Sequence, residues 1–366
     1  MIVDALLNVL EKRRGRQAKQ ARASRLAPTP EEREALDAAR IASYPGAYPT
    51  GWVPLVPIDE LGDKPLSVNT QGRSLVVFRT ASGAIHVMDA FCPHLGAHLA
   101  LGHVCGENLT CRFHGWQFSG AGEVVSVPYG KRSPARVGVH PSEVYYGMLC
   151  AFVGPTGLVD EAPYTLGRVP EIDDGRFTYR GSHDAHDVRM NLLEFAENSA
   201  DVQHFAHLHD QFRIPWTQVP VPGVGLAHRA TWRKDEAEPH VCWFENEAIV
   251  TWRGKRIEGR GGKARVRFDG PGTVIRFELD LGERGTIVLF QFHTPKNALR
   301  QHVRFRWFAE RHVPDGLARF VVGHWISQWE QDLEIWETKA YRPQPSLVAE
   351  DGPVVAMRRW VQQFYA

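Results

Sequence analysis

The chain has 366 residues, enough for two or three domains and a large core. Its 43 basic and 42 acidic side chains leave a formal charge of +1, which gives no electrostatic case for a nucleic-acid partner. The apolar share of 43% contains no run of about 18 apolar residues, so no transmembrane helix is expected, and five cysteines in such a length do not make a disulfide scaffold.

Residues 1–26 carry seven basic side chains (Lys12, Arg13, Arg14, Arg16, Lys19, Arg22 and Arg25) against Asp4 and Glu11. Apolar residues come first, at helical spacing (Val3, Leu6, Leu7, Leu10), and the basic ones follow. A secretory signal has the opposite order, so export is not expected. This basic amphipathic helix has two readings: a solvated or subunit-docking helix, and one lying on the anionic inner face of a membrane. Pro28-Thr29-Pro30 opens a second helix with Glu31, Glu32 and Glu34 in its first turn, and Tyr44-Pro45-Gly46 and Tyr48-Pro49 mark a linker. From Trp52 to about Val153, short strands such as 74–79, 85–89 and 124–127 alternate with turns, which predicts a small antiparallel β domain. A Pro/Gly/Asp-rich stretch near 154–175 ends it. Beyond it, 187–205 reads as a helix, followed by strands at 248–252, 264–268, 273–279, 286–292 and 303–308 and a long helix over 315–339. The fold class expected is α+β, with helix covering one face of a curved antiparallel sheet. The expected divisions are an arm and linker at 1–48, the β domain at 49–155 and the α+β domain at 156–366.

Within the β domain, Cys92-Pro93-His94 and Cys111-Arg112-Phe113-His114 are separated by 16 residues. Two thiolates and two imidazoles ligate a Rieske 2Fe–2S cluster, with the thiolates on one iron and the imidazoles on the other. A single tetrahedral zinc also accepts Cys2His2, but the one-residue gap of Cys-x-His is shorter than zinc pairs use. Such ligand pairs suit a reducing, cytoplasmic location. Cys105, Cys150 and Cys242 read as ordinary buried thiols, and His98 and His103 as loop surface.

In the α+β domain, Phe195, Val202 and Ala206 share an apolar helix face, and Glu197, Asp201 and His204 share another. A simple ion pair is the plain alternative, made less comfortable by three histidines at 204, 207 and 209. Helical spacing pairs His204 with His207. His209 lies about 140° away round an ideal helix and can join His204 only if the helix bends or ends. Further on, Asp332 sits within a stripe formed by Trp325, Trp329 and Trp336. An ionised carboxylate on such a face needs a partner or a metal, whereas Glu330, Glu334 and Glu337 read as solvated. Two histidines and one carboxylate form the facial triad that holds mononuclear Fe(II) with open positions.

Cys92-Pro93-His94-Leu95-Gly96-Ala97 and Cys111-Arg112-Phe113-His114-Gly115-Trp116-Gln117-Phe118 resemble the cluster loops of Rieske non-haem iron oxygenases. The likeness is to the steroid-acting branch, the cholesterol 7-desaturases and 3-ketosteroid 9α-hydroxylase oxygenases, and it runs from about Gly51 to the C-terminus. It implies a helix-grip (START-like) catalytic domain in which His204, His209 and Asp332 hold the iron, with His207 left out. It also implies a ring-shaped homotrimer in which Asp201 links His204 to a cluster histidine of the next subunit, His114, and carries electron transfer. O2 is then a co-substrate. No complete Gly-x-Gly-x-x-Gly follows a strand, since Gly223-Val224-Gly225 lacks the third glycine, so NAD(P)H would act through a separate reductase or ferredoxin. The implied substrate is a rigid, apolar sterol or steroid, oxidised by hydroxylation, desaturation or methyl oxidation. Val250, Trp252, Val266, Phe268, Ile275, Phe277, Leu289 and Phe292 can line its cavity or simply pack a core. Three other readings stay open: an oxygenase for a non-steroid aromatic or apolar substrate, a Rieske electron carrier, and a sterol-binding module without iron at the triad.

Overall fold

The computed structural model describes residues 30–46, 48–131, 133–154 and 158–365, so the basic arm expected over 1–26 lies outside the described residues. The chain forms two compact units. One comprises 47–166 with two short later segments, 293–298 and 364–366. The other comprises 167–292 and 299–363 together with 30–46.

Ten short strands build the first unit: β1 (Gly51–Pro57), β2 (Leu66–Thr70), β3 (Arg73–Arg79), β4 (Ile85–Asp89), β5 (His103–Cys105), β6 (Asn108–Thr110), β7 (Gln117–Phe118), β8 (Val124–Ser126), β9 (Ser142–Tyr145) and β10 (Met148–Val153). They pair antiparallel as β1-β10-β9, β2-β3-β4 and β5-β6-β7-β8. Strand β3 explains how two cores coexist. Side chains alternate across a strand, so Leu75 and Val77 join Val53, Val87 and Leu149 in one cluster. Val76 and Phe78 point the other way and pack with Leu109, Phe118, Cys92 and Cys111. The second face of β3 thus anchors both cysteine loops.

The second unit is an eight-stranded antiparallel sheet of β11 (Phe177–Val188), β12 (Gln211–Arg213), β13 (Pro220–Lys234), β14 (Val241–Trp252), β15 (Lys255–Asp269), β16 (Val274–Asp280), β17 (Thr286–Asn297) and β18 (Arg300–Glu310). Its order is β11-β18-β17-β16-β15-β14-β13-β12. The helices are α1 (Pro30–Ser43), α2 (Pro170–Asp173), α3 (Leu192–Asn198), α4 (His204–Leu208), α5 (Asp315–Trp336) and α6 (Val354–Val361). Helix α5 grips the sheet through its tryptophans: Trp325 lies 4.6 Å from Phe277 of β16 and Trp329 stands edge-on to Phe305 of β18 at 5.2 Å between ring centroids. No helix among the described residues is long and apolar enough to cross a membrane.

All eight expected strands and the long helix are present. The single helix expected over 187–205 is not. Residues 187 and 188 extend β11, where Asp187 pairs with His302, and the helix starts only after Asn191 accepts a hydrogen bond from the Leu193 amide at 2.9 Å. It stops at Asn198 and restarts at His204, because Asp201 Oδ1 accepts from the amides of Gln203 (3.2 Å) and His204 (3.3 Å). The strands β11 and β13 were not expected, because their Gly- and His-rich segments lack apolar alternation.

Gly323 shows how tightly α5 is seated. A Cβ there would lie 2.1 Å from the Trp216 indole nitrogen. That ring is almost fully buried, and its Nε1 donates to Arg319 O at 3.0 Å. Helix propensity alone predicts that Gly323→Ala gains about 1 kcal/mol. Overpacking reverses the sign, and denaturant titration should show a loss of about 1–3 kcal/mol.

Candidate metal centres

The two cysteine loops fold alike. In each, the amide of the glycine donates to the cysteine carbonyl four residues earlier (Gly96 to Cys92 at 2.9 Å, Gly115 to Cys111 at 3.0 Å). Each cysteine amide then donates to the carbonyl five residues on, Ala97 at 2.9 Å and Trp116 at 2.8 Å. The turn needs a left-handed residue, and Gly96 (φ +74) and Gly115 (φ +73) supply it. Cys92 and Cys111 are buried, while His94 and His114 are half-buried with ring centroids 4.6 Å apart. Trp116 stacks on His94 at 4.7 Å and donates to Tyr129 OH at 2.8 Å. Burial, reinforced by neighbouring Cys111, pushes the Cys92 thiol up to about 11, although the His94 and Leu95 amides point at its sulfur. Two soft sulfurs inside and two imidazoles at the rim match the donor set a 2Fe–2S centre of the Rieske type takes. Leu95, Phe113 and Tyr129 project around this tip with more than half of their surface exposed.

Of the remaining cysteines, Cys150 and Cys242 are buried and burial raises both thiols, as expected of inert core residues. Cys105 is exposed, contrary to expectation, because it ends a short strand next to the Gly106 turn. His98 is not loop surface either: its Nδ1 accepts from the Ala100 amide at 3.2 Å and its Nε2 lies 3.1 Å from Ser74 Oγ.

In the second unit, one ligating atom each of His204, His209 and Asp332 lies within 4.8 Å of the others. Helix α4 ends at Leu208, and His209 leaves helical geometry (φ −116°, ψ 18°), which swings its ring towards His204. His207 stays exposed on the other side of the short helix. Asp332 comes from α5, with Oδ1 3.0 Å from His209 Nε2, and both are buried. A metal with bonds of about 2.0–2.1 Å spaces its tetrahedral ligands about 3.3 Å apart. The His209–Asp332 edge already has about this spacing, and His204 lies within 4.8 Å of both. The His204 Nδ1 proton goes to the Asp201 carbonyl, whereas the Asp201 carboxylate, 4.0 Å from Nδ1, binds the α4 amides instead. The expected carboxylate–imidazole hydrogen bond is therefore not formed within this chain.

Several residues that position this centre escaped the sequence reading. Asn198 Nδ2 lies 3.3 Å from His204 Nε2. The His209 Nδ1 proton faces Gln331 Oε1 at 3.3 Å, and Gln331 Nε2 donates to Leu208 O at 2.9 Å. His228 Nε2 donates to His209 O at 3.3 Å while its Nδ1 accepts from Asn246 Nδ2 at 3.1 Å. Behind α3, buried Glu194 and Glu197 bind Lys339 Nζ at 2.6 and 3.1 Å, and Glu197 also binds Arg358 at 2.6 Å. Only the two acids on a short apolar helix hinted at this network. A cavity of about 40 Å³ opens on the three ligands, with aromatic walls from Phe205, Phe244, Phe268, Phe277, Trp325 and Trp329 and polar atoms from Asn198, Ser199 and Gln328. Val266 joins the lining, Ile275, Leu289 and Phe292 pack the core elsewhere, and Trp252 is exposed.

Comparison with known proteins covers both halves. The Rieske [2Fe-2S] domain matches residues 51–141, and the 3-ketosteroid 9alpha-hydroxylase C-terminal domain matches 160–365. A cholesterol 7-desaturase of Caenorhabditis elegans is 31% identical, over 89% of this chain and 79% of its own. The oxygenase component of 3-ketosteroid-9-alpha-monooxygenase from Mycolicibacterium smegmatis is 30% identical, over 88% and 84%. Among solved structures, Pseudomonas putida NdmA with caffeine superposes with a TM-score of 0.63 at 20% identity, covering 85% of this chain and 89% of that one. Dicamba monooxygenase bound to dicamba gives 0.63 at 16%, covering 86% and 96%. These two share the fold.

The buried histidines around the centre make stability depend on pH. Burial holds His324 near 4, where Gln328 Nε2 donates to its ring at 3.2 Å and Phe212 stacks on it at 4.4 Å. In the unfolded chain the same ring titrates near ~6.5. Below that pH the unfolded state takes up a proton that the folded state refuses. Stability is therefore full above about pH 6.5 and falls as pH drops towards 4. Denaturant titrations at pH 7 and pH 5 should show His324→Phe losing less than the parent, by about 1.4 kcal/mol per pH unit crossed.

Proposed function

The chain belongs to the Rieske non-haem iron oxygenases whose catalytic half is the 3-ketosteroid 9alpha-hydroxylase C-terminal domain, and from that membership we propose that it is the terminal oxygenase acting on a C–H bond of a sterol- or steroid-like molecule. The observation that carries the reading is the convergence of His204, His209 and Asp332 at the polar end of an aromatic cavity. Cys92, His94, Cys111 and His114 would hold the 2Fe–2S cluster, and His204, His209 and Asp332 the mononuclear iron. With both groups bound, the cluster would supply single-electron transfer and the iron O2 activation for oxidation of the substrate's C–H bond.

The protein's own part is positioning. Gln331 and the His228–Asn246 pair fix the ring and backbone of His209, and the Asp201 carbonyl fixes the tautomer of His204 by taking its Nδ1 proton. Aromatic walls exclude water and bind an apolar, rigid substrate by contact area. The names of the desaturase and ketosteroid monooxygenase relatives favour a sterol or steroid. Pockets for such ligands measure about 300–1,000 Å³, so the 40 Å³ cavity must widen for substrate entry. Electrons would come from NAD(P)H through a separate reductase or ferredoxin. The exposed apolar rim of Leu95, Phe113 and Tyr129 suits contact with a protein surface, whether that donor or a neighbouring subunit in a homotrimer. Asp201, 43% exposed, would carry the electron between subunits. The division into arm (1–48), cluster domain (49–155) and catalytic domain (156–366) and a cytoplasmic location complete the proposal, with the arm docking on a subunit or lying on an anionic membrane surface.

Metal analysis and turnover with a surrogate reductase test the assignment. The parent should hold about three irons per chain, and Asp332→Ala about two, with the rhombic Rieske electron-spin signal intact and no product by mass spectrometry. His207→Ala should keep all the iron. If His207→Ala empties the site and His209→Ala does not, the ligand set is wrong. Asp201→Asn should keep both centres, yet after rapid mixing of reduced protein with substrate and O2 its cluster should stay reduced while the parent's reoxidises.

A further inference from the structure

Strand β11 is the edge of the eight-stranded sheet, and its end carries a bulge. Asp184 pairs with Arg304 and Asp187 with His302, although the two pairs lie three positions apart on β11 and only two on β18. In a regular strand, residues three apart face opposite ways. The extra residue turns Asp184 and Asp187 to the same face, on either side of His302. His186 adopts a left-handed backbone (φ 56), rare for a residue with a side chain, and this brings its Nδ1 to 3.2 Å from Asp184 Oδ1.

The resulting cluster is compact. His302 Nε2 lies 2.9 and 3.0 Å from the two oxygens of Asp184, and its Nδ1 lies 3.6 Å from Asp187 Oδ1. One ligating atom each of Asp184, His186 and His302 falls within 4.8 Å of the others, as for His204, His209 and Asp332. Arg304 Nε holds the far oxygen of Asp184 at 3.2 Å, which orients the carboxylate and offsets one of two negative charges. The His302 ring is largely buried (17% exposed), while that of His186 is open to solvent (74%).

We propose that Asp184, His186 and His302 form a second, structural metal site for a divalent ion of the zinc class, distinct from both iron centres. Two imidazoles and one carboxylate are the donors such ions take; the two carboxylate–imidazole spacings, 2.9 and 3.2 Å, are within a few tenths of an ångström of the ~3.3 Å tetrahedral edge, and the third edge is under 4.8 Å. On binding, each imidazole ligates in its neutral form with its one proton on the nitrogen away from the ion, any second proton passes to solvent, and water completes the shell. Asp187 and Arg304 orient the ligands from behind. The ion would pin the bulge and tie the edge strand to β18, just ahead of the chain that enters α3.

The test uses iron-loaded holoenzyme, washed with a mild chelator under conditions where its iron content is unchanged, and titrated with zinc chloride against a chromogenic indicator. One zinc ion per chain should bind without iron release, and zinc should raise the melting temperature. His186→Ala removes only an exposed side chain, so it should fold normally. It and His302→Gln should each weaken zinc binding by about 10- to 100-fold or more, since loss even of a residue behind a ligand has an effect of that size. The proposal is overturned by absence of zinc uptake, by uptake matched by iron loss, or by unchanged affinity in His186→Ala. In those cases His302 is an imidazole held between two carboxylates and nothing more.

Discussion

Asp332 is a carboxylate buried against tryptophans, and most of the second unit can be read as what makes that tolerable. An isolated charge in such surroundings is prohibitively unfavourable, so it must face hydrogen-bond donors or a cation. His209 answers it at 3.0 Å and His204 closes the triangle. That requirement sets the local chain path. The helix has to break after Asn198 and stop at Leu208, because an unbroken helix would carry His209 away from His204. It also sets the second layer of contacts. Gln331, next to Asp332 on α5, reaches the same imidazole and the carbonyl before it, so one turn of α5 holds both the buried carboxylate and the orientation of His209.

The position of α5 in turn depends on aromatic packing against the sheet. Trp325 and Trp329 lie on Phe277 and Phe305 and also wall the cavity, so the contacts that fix the carboxylate shape the binding space. On the far side, two buried acids of α3 are neutralised by Lys339 and Arg358, which raises the ammonium of Lys339 above its ordinary value despite its burial. Breaking one partner of such a network leaves a charge uncompensated, at a cost of about 3–5 kcal/mol.

The first unit solves a different problem: presenting two cysteine–histidine pairs at a surface without exposing the sulfurs. Two-residue alternation along β3 does it. One face closes a core of its own and the other packs on Cys92 and Cys111 from below. Two copies of the same glycine-dependent turn lift His94 and His114 to the rim.

Much of this was readable along the chain, because it depends on local spacing. Cys-x-His and Cys-x-x-His are ligand pairs within single turns, so residue type and distance in sequence nearly determine their chemistry. The long tryptophan-bearing helix and the alternating strands 248–308 follow from periodicity. The choice of His209 over His207 did not. Ideal helical geometry favours His207, and only the Asp201 turn and the helix end at Leu208 reverse it. Likewise, Asn198, Gln331, His228 and the Glu197–Arg358 pair have no spacing that marks them, since their partners lie 6 to 161 residues away. The sequence by itself determined the donor types and the elements that carry them. Which donors meet was decided by the bulges, helix breaks and packing that bring distant segments together, because a metal site is a condition on distances in space.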